Sequence, residues 1–115
     1  MTDTTSFEAA FARLQRLVAA RNLQGVERAS HQDAPALTVA DAPFVHLAEP
    51  TVAALHCPVD QKVLLLEISP DIFFETDDNV GQDLLLVRLD RIEDEELALK
   101  LEDAWQFRAP DSLKR

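Results

Sequence analysis

Pro35, Pro43, Pro50 and Pro58 recur every seven or eight residues, and that spacing constrains the fold of this chain more than any other feature. A proline inside a helix removes an amide donor and clashes with the preceding turn, so no long helix fits between residues 26 and 57. Pieces of about seven residues have the length of strands. Leu37 and Val39 alternate with polar neighbours. Phe44 and His46 share one side of a strand, and Val45 and Leu47 share the other. The segment reads as an antiparallel meander with strands near residues 26–30, 35–40, 43–48 and 52–57.

Helical patterns flank the meander. Phe7, Ala10, Phe11, Leu14, Leu17 and Val18 form one stripe at helical spacing, which predicts a helix over residues 5–20. Thr5 and Glu8 have the spacing of a capping box at its start, and Asn22 and Gly25 mark its exit. Residues 60–67 suit a short helix that Ser69-Pro70 stops. Ile72-Phe73-Phe74 reads as a strand, Asp77–Asp83 as a polar connection, and the apolar run 84–89 as a buried central strand. Asp94 is placed to cap a last helix with Leu97, Leu101, Ala104 and Trp105 inward. The acidic run 93–96 then sits at the positive end of that helix's dipole. Helices at both ends of an antiparallel run predict an α+β, two-layer sandwich: one domain over 1–115, its sheet packed against N- and C-terminal helices.

An apolar fraction of 47% with 28% charged residues is that of a folded domain, and 115 residues suffice for one core. The single cysteine, Cys57, has no internal partner, so a reducing, cytoplasmic setting is expected. Charged residues interrupt the first twenty positions, so neither a signal peptide nor a membrane partner is expected. The net charge is −10, with four basic and six acidic residues in 1–58 against seven and fifteen in 59–115. A field of that sign repels polyanions.

Catalytic and cofactor machinery is absent from the pattern. His56 and Cys57 are adjacent on a strand, so they project to opposite faces and do not form a nucleophile–base dyad. There is no nucleophile elbow, and two glycines do not build a phosphate-cradling loop. His46 and His56 would face each other across a hairpin centred near residue 51, with His31 or Glu49 as a third metal ligand, but the short paired spacing of zinc sites is missing. Asp77, Asn79 and Asp83 match three positions of a calcium loop, whereas Gly81 is one position early and Arg88 stands where the bidentate glutamate is required. We therefore expect no enzyme, no cofactor and no metal. Were nucleic acid the ligand, Arg88, Arg91, Arg108, Lys114 and Arg115 would have to make the phosphate contacts. Ten acidic residues between Asp71 and Glu96 dilute them. Arg108 falls on the buried-face azimuth of the last helix, which suits an aliphatic stem capping the core with its head in water, or a partner for an acidic side chain, better than a phosphate ligand.

Three segments together resemble the MmcQ/YjbR family of small bacterial proteins. They are Leu23-Gln24-Gly25-Val26-Glu27, His56-Cys57-Pro58, and the stretch from Ser69-Pro70-Asp71-Ile72-Phe73-Phe74-Glu75-Thr76-Asp77 through Gly81 and Leu86-Val87-Arg88-Leu89 to Leu101–Pro110. The resemblance implies a frataxin- and CyaY-like α+β fold and a non-enzymatic binding module with a DNA-binding role. The residues leave two alternatives open. One is a protein-interaction or regulatory module whose acidic surface, Asp71 to Glu96, steers a basic partner. The other is a weak metal binder in the frataxin manner through Glu75, Asp77, Asp78 and Asp83.

Overall fold

The apolar stripe of the N-terminal segment folds as expected into α1 (Thr2–Ala20), which buries Phe11, Leu14, Leu17 and Val18. The structure is a computed structural model that describes residues 2–31 and 34–113, with side chains described over 7–30 and 34–112. The helix begins at Thr2, so Thr5 lies within its first turns and is not its cap; the Thr5 side chain is outside the described set. Asn22 and Gly25 both take positive φ, 56° and 70°, and turn the chain into the meander.

The meander consists of β1 (Val26–His31), β2 (Ala34–Val39), β3 (Ala42–Glu49) and β4 (Val52–His56). After α2 (Val59–Ile68) come β5 (Phe73–Phe74), β6 (Leu84–Arg88) and α3 (Asp94–Arg108). All six strands join one antiparallel sheet in the order β1-β2-β3-β4-β6-β5. The architecture is α+β, as the element order predicts. One sheet face carries Leu37, Val45, Leu47, Leu55, Leu85 and Val87 into a core with α1 and α3. The opposite face has a smaller apolar cluster of Val52, Ala54 and Leu86, flanked by Phe74 and Leu84.

Strand alternation in β3 first fails at Phe44. Leu37 pairs with Val45, but Thr38 pairs with Pro43, so Phe44 is an extra residue of β3. Such a bulge breaks the two-residue period and re-aims the inserted side chain. Phe44 therefore joins the helix-facing core, fully buried beside Val45, while His46 stays half-buried on the other face.

Ion pairs and hydrogen bonds couple α1 to α3. Arg13–Asp94, Arg21–Glu102 and the Trp105 Nε1 bond to the Gln24 carbonyl advance together along both segments, so the two helices run in the same direction. Arg13 donates to Asp94 Oδ1 and to the Leu89 and Ile92 carbonyls, each at 2.7 Å. Glu93, not Asp94, occupies the cap position of α3, which leaves the Asp94 carboxylate turned to Arg13 and Arg16. Hydrogen bonds from Arg13 and then Arg16 hold that carboxyl below its ordinary value of 3.8. A carboxyl with a depressed folded pKa stabilises the fold above its unfolded value and loses that contribution as pH falls through the folded one. Thermal midpoints compared at about pH 5 and about pH 2.5 should therefore fall further for the native chain than for Asp94→Asn. Equal losses would show that the pairing adds nothing.

Candidate interaction surface

Helix α2 is built around an inversion of the usual order. Its run Val63-Leu64-Leu65-Leu66 passes all round a helix, so only part of it can face inward. The inward stripe is Lys62, Leu65 and Leu66, at i, i+3 and i+4. Leu65 and Leu66 pack on the core, and Lys62 is 1% exposed. Val63, Leu64 and Ile68 face out, 51%, 53% and 64% exposed.

A buried ammonium is tolerated only when it is paired and hydrogen-bonded, and the loop between β5 and β6 meets both conditions. Lys62 Nζ donates to the carbonyl oxygens of Asn79 at 2.5 Å and Gln82 at 3.1 Å, and pairs with Glu75 Oε1 at 2.9 Å. The loop is closed on itself by a single 3-10 turn, Asp77–Asn79, in which the Thr76 amide donates to Asn79 Oδ1. Val80, at the tip of this loop, adds an exposed aliphatic side chain.

Exposed carboxylates stand on α2 itself and on the loop that Lys62 anchors. Asp60 and Glu67 on α2, and Asp77, Asp78 and Asp83 in the loop, are all exposed. Gln61 Nε2 reaches Asp103 on α3 at 3.4 Å, so α2 comes beside α3 at that point. Lys62 is enclosed, and Lys100 lies 4.0 Å from Asp103.

The residues singled out for other chemistry are dispersed. Glu75, named for metal binding, is engaged by Lys62, whose ammonium collects the oxygens a hard cation would use. Among the described residues, no three His, Cys, Asp or Glu side chains converge in a way that could hold a metal ion. The expected pairing of His46 with His56 is shifted: a register irregularity after Leu47 sets His46 opposite Ala54, so the histidines are diagonal neighbours at closest. The His31 side chain lies outside the described set. Cys57 is buried in the core, and desolvation pushes its thiol up to about 11, far from a reactive thiolate.

Of the five basic residues considered for phosphate contact, Arg88 and Arg91 come together. They line a cavity of about 470 Å³ with Glu49, Asp71 and Asp90, above Val52. Arg108 is in the last turn of α3, about 20 Å along that helix from the Arg91 end. It is half-buried, and its Nε has no hydrogen-bond partner among the described residues. Lys114 and Arg115 lie outside the described residues. No helix of the described chain is long and apolar enough to cross a membrane. No protein-family model and no curated protein matches the sequence.

Proposed function

We propose that the chain is a non-enzymatic protein-interaction module that docks a partner on the outer face of α2. One observation carries this reading: α2 turns its lysine into the protein and three large aliphatic side chains out of it. Covering the exposed half of each contributes on the order of 1 kcal/mol. The exposed carboxylates Asp60 and Glu67 of α2 and the net charge of −10 select the partner's chemistry, an apolar-faced segment carrying Lys or Arg, and speed its approach.

Membership of the MmcQ/YjbR family, with the DNA contact it implies, is the second reading. It is supported by Arg88 and Arg91 sharing a cavity, and it is weakened by the distance to Arg108 and by the net charge of −10.

The double substitution Leu64→Glu with Ile68→Glu tests the first reading, because both positions are exposed and the fold should survive. We expect unchanged circular dichroism and loss of a basic partner that the native chain retains at low salt, with at least a tenfold rise in its Kd. Equal retention by both chains overturns the reading. A native dimer that the double variant dissolves would assign the surface to a second copy instead. Fluorescence anisotropy with duplex DNA at about 50 mM and about 200 mM salt is the parallel measurement. Steeply salt-dependent binding lost in Arg88→Ala would put the DNA reading in its place.

A further inference from the structure

Arg88 is opposed in the sheet by Val52, and Val52 in turn by Glu49, so the three form one row across β6, β4 and β3 on the face away from α1 and α3. Neighbouring strands are about 4.8 Å apart, which sets the backbones bearing Arg88 and Glu49 about 10 Å from one another. Both side chains are long enough to meet over Val52. They do not: no carboxylate oxygen lies within ion-pair distance of Arg88 or Arg91 among the described residues. Arg88 leans the other way, its Cζ 4.1 Å from the centroid of Phe74 on β5. That stack fixes one face of the guanidinium on an aromatic ring and leaves its edge donors directed elsewhere. In a chain with nearly twice as many carboxylates as basic residues, two neighbouring guanidinium groups with no carboxylate in ion-pair contact are an arrangement of separated charge.

We propose that this cavity binds a small zwitterion, an oxyanion joined by a short link to an ammonium group. The oxyanion takes the donors of Arg88 and Arg91, bidentate in the manner guanidinium favours. The ammonium faces Glu49, across β4 from the arginines, while Asp71 and Asp90 line the cavity on the arginine side. The link lies over Val52, an apolar floor that is 8% exposed. The volume of about 470 Å³ suits a molecule of metabolite size. This site is separate from the outer face of α2, and its test is independent of the partner reading.

The probe is O-phosphoethanolamine, titrated into the isotope-labelled full chain and followed by amide chemical shifts. Ethylamine and inorganic phosphate are the single-charge controls, and γ-aminobutyrate replaces phosphate by carboxylate. We expect saturable shifts at Val52, Phe74, Arg88 and Arg91, with at least one zwitterion binding about tenfold more tightly than either control. Arg88→Gln and, separately, Arg91→Gln should each weaken that binding about tenfold, and Glu49→Gln should bring the affinity down to that of the matching anion alone. The remaining amide shifts report whether each variant is folded, and Arg91, which makes no stack or ion pair among the described residues, serves if Arg88→Gln disturbs β6. No saturation below about 10 mM, inorganic phosphate binding as tightly as the zwitterions, or undiminished binding in a folded Arg91→Gln chain would each overturn the proposal.

Discussion

Lys62→Ala should lower the free energy of unfolding by about 3–5 kcal/mol, the range observed when one partner of a buried ion pair is removed. The substitution strands the Asn79 and Gln82 carbonyl oxygens and leaves the Glu75 carboxylate without its cation. Carbonyls that lose a donor inside a protein are costly because water does not replace it fully. The stem of Lys62 also fills space between α2 and the β5–β6 loop, so the loss combines packing with charge. In a domain of this size the effect corresponds to a fall in thermal midpoint on the order of 10–20 °C. Lys62→Met, which keeps most of the stem, separates the two contributions. Calorimetry on both variants, with hydrogen exchange at residues 76–82, is the measurement. A shift under about 1 kcal/mol with unchanged loop protection would show that the ammonium is not the loop's anchor.

Phe44→Ala should cost a comparable amount, about 3–5 kcal/mol, since a fully buried phenyl ring is replaced by a cavity. The bulge makes this position informative. If β3 were regular, Phe44 would lie on the same face as His46, and its truncation would leave the main core intact. Urea unfolding therefore reads the register directly, and the matched control is Phe107→Ala, a ring 36% exposed on α3, which should lose far less. Equal losses at the two positions would contradict the bulged register.

The parts of the fold that local patterns determine were legible in the sequence. The α1 stripe, the proline-punctuated strands and the inner face of α3 each depend on spacing within one element, and spacing is what periodicity reports. Three features lay beyond that reach. The bulge at Phe44 depends on how β2 and β3 are registered, and no residue within β3 announces it. Asp94 resembles a cap by type, but Arg13 and Arg16, far away in sequence, draw its carboxylate off the helix end.

The inward turn of Lys62 was the most consequential omission for the candidate site. Its acceptors lie 17 and 20 residues downstream, in a connection that reads as a solvated turn. A trace was nonetheless present: Lys62 shares the helical stripe of Leu65 and Leu66, while Val63, Leu64 and Ile68 fall off it. The exposed aliphatic face is the geometric complement of that stripe.

The same-direction pairing of α1 with α3 has a consequence for synthesis. Arg21 meets Glu102, and Trp105 reaches back to Gln24, each across 81 positions. Every strand therefore emerges from the ribosome before the second half of the helical layer does, and the nascent sheet waits with its greasy side partly bare. Contacts of such long range slow folding and lengthen exposure to aggregation. Chains stalled ahead of residue 94 should thus depend on holdase chaperones, and release from them should coincide with emergence of the final helix.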